Sequence, residues 1–239
     1  MAGDSEIGSP PARPMTVEQA ISGRWSARAF LPTPVPRETI ARILLTAGHA
    51  PSGSNIQPWK VWVLMDEVKT ALSNELLALF HETGEGKRKY DYYPKVWREP
   101  YLKRRRACGW GLYSTLGISR DDKASMKAQR AQNYAMFGAP ACFIFTIDRD
   151  MELGSWLDYG MFLQSIMIAA REHGLETCSQ AALANYSAVL HRRLRIPEEQ
   201  MVVCGMAIGF ADTNAKVNTF RTGRMALDEF VTWVDELAD

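Results

Sequence analysis

The 239-residue chain has no run of about 18 or more apolar residues, so nothing in it reads as a membrane span. It has almost no charge imbalance. A formal net charge of +1 removes the general argument for a nucleic-acid or anionic-membrane partner. There is no Gly-x-Gly-x-x-Gly after a strand, which sets aside the dinucleotide fingerprint. There is no Gly-x-Ser-x-Gly elbow of the hydrolase type. Cysteine is scarce, with four residues: Cys108, Cys142, Cys178 and Cys204. None forms a Cys-x-x-Cys pair or a zinc spacing, and three sit in apolar runs. They read as reduced thiols of a cytoplasmic protein. His49, His81, His173 and His191 are not paired at metal-ligand spacing, so no metal is expected. No internal repeat is visible.

What is present is ordinary globular composition, with 46% hydrophobic and 23% charged residues, enough to bury a substantial core. Residues 1–14 are rich in Gly, Ser and Pro without the apolar stretch of a signal peptide, and read as a disordered lead-in. Residues 15–239 read as one domain. Thr16 and Gln19 have capping-box spacing, so a helix is expected there, ending at Gly23. Pro36 suits the first position of a second helix, with Ile40, Ile43, Leu44 and Ala47 as its apolar stripe. Val61–Leu64, Ala141–Ile147 and Met201–Ile208 read as strands, and Asp66–Phe80 as a helix. Ser155 is placed to cap a helix over Trp156–His173 that is apolar on most sides, and Gly174 to stop it. Leu175–Cys178 should lead into a loop and helix. Asp228–Leu237 should close the chain as a helix or strand. The fold class is α+β, with three or four strands packed against several helices.

Two short segments carry the chemistry. In Arg24-Trp25-Ser26-Ala27-Arg28, positions i, i+2 and i+4 of an extended chain share one face. That face offers two guanidinium forks and a hydroxyl, a set suited to a phosphate monoester. Surface arginines in weak ion pairs are the plain alternative. In Pro51-Ser52-Gly53-Ser54-Asn55-Ile56-Gln57-Pro58-Trp59, uncharged donors and acceptors cluster around a glycine that permits close backbone approach. They suit the edge of a polar ring such as isoalloxazine. A simple helix-to-strand loop is the alternative.

Taken together and in this order, the segments resemble the FMN-dependent nitroreductase family, whose pattern is near Arg-x-Ser-x-Arg followed by Pro-Ser-x-x-Asn-x-Gln-Pro-Trp. The resemblance continues through Gly174–Ala181 and Asn218–Arg224. The family fold is a mixed sheet flanked by helices in an intertwined homodimer, with FMN at the subunit interface. By resemblance, Arg24, Trp25, Ser26 and Arg28 hold the phosphate, the ribityl chain and part of the ring edge. Pro51, Ser52, Gly53, Ser54, Asn55 and Gln57 belong to the segment that reaches the flavin from the other subunit. The backbone of Ser179, Gln180, Ala181 and Ala182 approaches N5 and O4, and Arg221 and Arg224 complete the cationic end. Arg130 and Asn133 lie where some members contact the ribityl chain. No side chain is assigned an acid–base role, because the flavin carries the chemistry.

The resemblance implies NAD(P)H as electron donor, ping-pong hydride transfer through flavin N5, and a nitroaromatic acceptor. It leaves open a different acceptor (enone reduction, dehalogenation, azoline oxidation) or a flavin-binding protein without turnover. It does not choose between NADH and NADPH. Residues 84–125 form an aromatic-rich insert. Its Tyr-Asp-Tyr-Tyr-Pro run is similar to the nitroaromatic- and nitrobenzoate-reducing branch, which makes Tyr92, Tyr93, Trp97 and Tyr113 candidate substrate contacts. Core packing is the alternative for these rings. The run Lys103-Arg104-Arg105-Arg106 reads as a solvated helix face.

Overall fold

A computed structural model describes residues 15–238. The expected lead-in, residues 1–14, lies outside them. The order of main elements is α1 (Val17–Gly23), α2 (Arg37–Ala47), β1 (Lys60–Met65), α3 (Asp66–Thr83), α4 (Tyr101–Leu116), α5 (Lys123–Ala131), β2 (Ala141–Asp148), α6 (Leu153–Glu172), β3 (Glu176–Gln180), α7 (Ser187–Leu194) and β4 (Gln200–Gly209). The four strands form one sheet in the order β1-β2-β4-β3, and all three pairings are antiparallel. A mixed sheet was expected. Within the described residues, the parallel element is an isolated bridge from Ser26 to Thr177, beside the edge strand β3.

The unbroken apolar run of β2 follows from the sheet being covered on both faces. Its alternate residues Ala141, Phe143, Phe145 and Ile147 join a core with Ile40, Ile43 and Ala47 of α2 and Phe162 and Ile166 of α6. Cys142 and Ile144 face the other way, into a core with Leu72, Leu76 and Phe80 of α3 and Leu190 of α7. The period of two along the strand thus feeds two hydrophobic layers.

Local signals account for several boundaries. Thr16 accepts from the Gln19 backbone N–H at 3.1 Å and Gln19 returns the bond at 2.9 Å, closing the capping box. Gly174 takes φ +69°, the left-handed stop that ends α6 without a Cβ penalty. Pro36 sits one position earlier than expected, at the N-cap of α2.

Three expectations need correction. Helix α6 starts at Leu153, with Glu152 at its N-cap, so Ser155 lies buried inside the first turn and does not cap it. The residues after Leu175 form a strand, β3, before any helix. Its Glu-Thr-Cys-Ser-Gln sequence has no apolar alternation, and pairing to β4 imposes the extended form. The C-terminal stretch expected as helix or strand holds one 3-10 turn, Leu227–Glu229, with Trp233, Val234 and Leu237 exposed.

The apolar girth of α6 has a clear consequence. Tyr159, Phe162, Ile166 and Ala170 are buried, yet Leu153, Leu157 and Met161 on successive turns are exposed by 81%, 74% and 40%. One side of this helix packs the core, and the other is an apolar stripe with no partner in the chain. Helix α4 of the insert has no buried residue, whereas Tyr90 ahead of it packs against the core and donates to the Val203 carbonyl.

Candidate functional site

The Arg24–Arg28 ribbon leaves α1 in extended form and lies against β3. The Ala27 N–H donates to the Thr177 carbonyl at 3.1 Å, and Ala27 is fully buried. Asn218 clips the ribbon from the other side. Its Oδ1 accepts from the Arg28 N–H at 2.7 Å, and its Nδ2 donates to the carbonyls of Ala29 at 2.7 Å and Asp212 at 2.8 Å. These bonds fix the C-terminal half of the ribbon, Ala27 to Ala29, against β3.

Arg24, Ser26 and Arg28 all act on the Cys178 thiol of the neighbouring strand, so the three are brought to one side of the ribbon. Burial pushes this thiol up to about 11, although Arg28, a Ser26 hydrogen bond and Arg24 all pull it down. Cys178 is therefore protonated and inert near neutral pH. Its place beside these three residues was not legible in sequence, because a cysteine in an apolar run looks like packing.

The cationic end is built from three segments. The Arg221 guanidinium lies 4.0 Å from the Trp25 ring centroid. Arg224 stands close enough to Arg24 to lower the Arg24 pKa, second to desolvation by burial. The Nε of Arg24 is buried with no hydrogen-bond partner. Like charges gathered around an unsatisfied donor are the environment of an anion site.

Beyond the ribbon, Ser179 separates two cavities. A cavity of about 220 Å³ is lined by Arg28, Tyr113, Arg130, Asn133, Cys178 and Ser179 among others. This joins Arg130 and Asn133 to the ribbon. The second, of about 700 Å³, is lined by Tyr90, Tyr92, Trp156, Leu163, Met167, Ser179 and Ala181 among others. It is the aromatic and apolar side. The turn Ala181–Tyr186 that follows β3 is pressed onto β4 at Gly205, where a Cβ would meet Leu183 Cδ1 at 2.2 Å. Only glycine allows that approach. Gln180 donates to the Asn133 carbonyl at 2.6 Å, tying β3 to the polar cavity, and its buried Oε1 has no partner.

The expected substrate contacts separate. Tyr92 lines the large cavity and Tyr113 the small one. Tyr93 and Trp97 line neither. They continue an aromatic chain outward, Tyr92 to Tyr93 at 4.7 Å and Tyr93 to Trp97 at 5.3 Å, capped by Arg105 over Trp97 at 4.7 Å.

The second motif is elsewhere. Gly53–Asn55 form a 3-10 turn, and Ser54, Asn55 and Gln57 take φ of 48°, 57° and 48°. Three non-glycine residues in the left-handed region is a strained arrangement. The turn is anchored by the Gly53 N–H donating to Asp158 Oδ2 at 3.0 Å and the Gln57 N–H donating to Ser52 Oγ at 3.0 Å. Trp59 stacks on Phe162 at 4.7 Å and 3°. The side chains of Ser54, Asn55 and Gln57 point out, exposed. Asp158 belongs to no motif, and Asn218 heads the Asn218–Arg224 segment without a role having been expected for it. The sequence signal for Asp158 is a carboxylate within an otherwise apolar helix.

The two motifs thus attach to opposite ends of α6. The turn is bonded at Asp158, whereas the ribbon's entry at Gly23 is bonded by Arg171. At 1.5 Å rise per residue those anchors are about 20 Å apart. Ser52–Gln57 therefore do not join the ribbon within one chain.

Among the described residues, no helix is long and apolar enough to cross a membrane. A model of the Nitroreductase family matches residues 21–210. The chain is 37% identical over 221 residues to a chloronitrobenzene nitroreductase of Comamonas testosteroni, covering 92% of this chain and 97% of that one. It is 39% identical over 207 residues to a 4-nitrobenzoate reductase of Pseudomonas putida, covering 87% and 90%. Among solved structures, the FMN- and NADPH-dependent nitroreductase NfnB from Sphigopyxis sp. strain HMH superposes with a TM-score of 0.89 at 39% identity, over 92% of this chain and all of that one. The FMN-dependent NfnB from Mycobacterium smegmatis, in complex with NADPH, gives a TM-score of 0.86 at 31% identity, over 91% and 97%.

Proposed function

The chain belongs to the nitroreductase family, and we propose that it is an FMN-containing oxidoreductase that reduces nitroaromatic compounds with NADPH as electron donor. The observation that carries this is the convergence of Arg24, Arg221 and Arg224 at one end of a ribbon whose neighbouring strand carries Ser179, which lines both a polar and an aromatic cavity. A phosphate end and a ring end are offered along one path. The relatives' substrates and cofactors, named above, match that pairing.

FMN fits the residues present. The unpartnered Nε of Arg24 and the like-charged Arg224 beside it suit its phosphate. Ser26 and Arg28 suit the ribityl chain and ring edge, with Arg130 and Asn133 across the small cavity. Bound FMN supplies the redox chemistry, taking electrons from the nicotinamide and giving them to the nitro group. The chain places and tunes it. Arg28 brings positive charge to the small cavity, which favours an electron-rich ring there. The backbone of Ser179–Ala182, fixed by the contact at Gly205, presents its amides in one orientation. Tyr90, Tyr92 and Trp156 give the large cavity walls that exclude water and stack on aromatic compounds.

A homodimer belongs to the same reading. The Ser54, Asn55 and Gln57 donors are exposed about 20 Å along α6 from the ribbon's anchor, and the Leu153, Leu157 and Met161 stripe lies uncovered on that helix. Pairing two copies along α6 covers the stripe and brings one copy's turn to the other's ribbon. A cytoplasmic setting follows from the same reading, with four free thiols among the described residues.

The test is anaerobic mixing. The purified protein should be yellow with one FMN per chain, bleach rapidly with NADPH, and regain its colour on addition of a chloronitrobenzene or 4-nitrobenzoate. Protein that cannot be loaded with FMN would overturn the proposal.

A further inference from the structure

The ion pair of Arg171 and Glu176 lies outside every residue assigned above, yet it touches the ribbon at both of its first two steps. Arg171 Nη1 donates to Glu176 Oε1 at 2.6 Å and to the Gly23 carbonyl at 2.7 Å. The Trp25 backbone N–H lies close enough to Glu176 to favour its carboxylate form. One salt bridge therefore holds the peptide group before Arg24 and faces the one after it. It is nearly closed to solvent, with the two side chains 13% and 15% exposed. At Gly23 a Cβ would stand 3.0 Å from Arg171 Nη2, so the guanidinium is packed directly on the chain.

The surroundings explain why a carboxylate is needed there. Arg24, Arg171, Arg221 and Arg224 are all close enough to act on one another or on Glu176. Glu176 is the carboxylate that acts on Arg24, and it opposes the effect of Arg224. Four guanidinium groups with one carboxylate repel each other unless an anion arrives.

We propose that Arg171 and Glu176 are positioning residues for the phosphate end of the cofactor: Glu176 is an internal counter-ion for the arginine cluster, and Arg171 keeps that carboxylate turned away from the phosphate while clamping Gly23. The proposal rests on the reading of this end as the FMN phosphate site. It makes a distinctive claim. Removing Arg171 strands a buried carboxylate, which then turns to Arg24 and competes with the phosphate for it. The damage is specific to the phosphate, and removing the carboxylate charge as well undoes much of it.

The experiment measures FMN and riboflavin dissociation constants for the apoprotein by flavin fluorescence. Riboflavin has the same ring and ribityl chain without the phosphate. In Arg171→Met, FMN affinity should fall about tenfold or more, with riboflavin affinity changed less than about threefold. The double variant Arg171→Met/Glu176→Gln should bind FMN within about threefold of the original protein. Equal losses for the two flavins would assign the pair a merely structural role and overturn the proposal, as would a double variant no better than the single one. Should Arg171→Met fail to fold, Arg171→Lys serves. It keeps the charge without the fork, so the FMN-to-riboflavin preference should drop about threefold, and an unchanged preference overturns the proposal. Unaltered protein that binds neither flavin would instead sink the underlying phosphate reading.

Discussion

The Arg24–Arg28 ribbon and the Ser52–Gln57 turn carry equally recognisable motifs, but the fold treats them in opposite ways. The ribbon is half-buried, bonded to β3 at Thr177 and clipped by Asn218. The turn is exposed, holds three residues at positive φ, and hangs on Asp158. A segment whose backbone is bonded within the chain while its Arg24 Nε is left unpartnered is, in the proposed reading, the half of the site that the chain keeps for itself. A strained segment that presents its side chains outward makes sense when something outside the chain completes it. The contrast teaches that burial and backbone bonding, more than motif quality, tell which half of a shared site a chain keeps for itself.

Breaking the association should give the largest effect. Leu157→Arg puts a charge into the exposed α6 stripe, and light scattering should then report the 26.8 kDa chain mass where the original protein gives about twice that. FMN should be lost together with the dimer. A monomer that retains FMN would erase the contrast between ribbon and turn. Next in size is Arg24→Ala, which should weaken FMN binding by about 1.5–3 kcal/mol, the range for hydrogen bonds to charged groups. Equilibrium dialysis reads it directly. Asp158→Ala should act on the other half. It frees the Gly53 N–H and lets the strained turn relax, weakening FMN by about 1–2 kcal/mol while the ribbon stays intact.

The smallest effect concerns thiols, and it sharpens the claim that the ribbon is rigid. Burial pushes Cys178 up to about 11 and Cys142 and Cys204 up to about 12, so at pH 8 all three stay protonated as well as covered. Cys108 is exposed. A thiol reagent on the native protein should titrate one group quickly and the rest only on denaturation. Asn218→Ala, which unclips the ribbon, should speed Cys178 labelling selectively.

Much of this was legible in the sequence, where local chemistry decided the outcome. The Thr16–Gln19 capping box, the stripe of α2, the apolar run of β2 and the stop at Gly174 are signals carried by a few adjacent residues, and the fold honours them. The ribbon's one-faced triplet was also legible, because alternation is a property of any extended chain. What was not legible depends on partners distant in sequence. Strand β3 has a polar composition and is extended because β4 lies beside it. Ser155 looks like a cap until Glu152 is seen to start the helix. Asn218 and Glu176 lie inside segments that the resemblance marked, but their partners sit across the fold, and no local pattern names those partners. The insert shows the same limit, since Tyr92 reaches the large cavity while Tyr93 and Trp97 line neither cavity.

The central claim, that one FMN is held by the ribbon of one copy and the turn of another, is tested most directly by complementation. Arg24→Ala and Asp158→Ala proteins, each deficient in FMN binding, are unfolded together in equal amounts and refolded. In a mixed dimer one site pairs an intact ribbon with an intact turn and the other carries both defects. Random assortment should therefore restore tight FMN binding to about a quarter of all sites. If each chain held its cofactor alone, the mixture would bind no better than the average of its two parents.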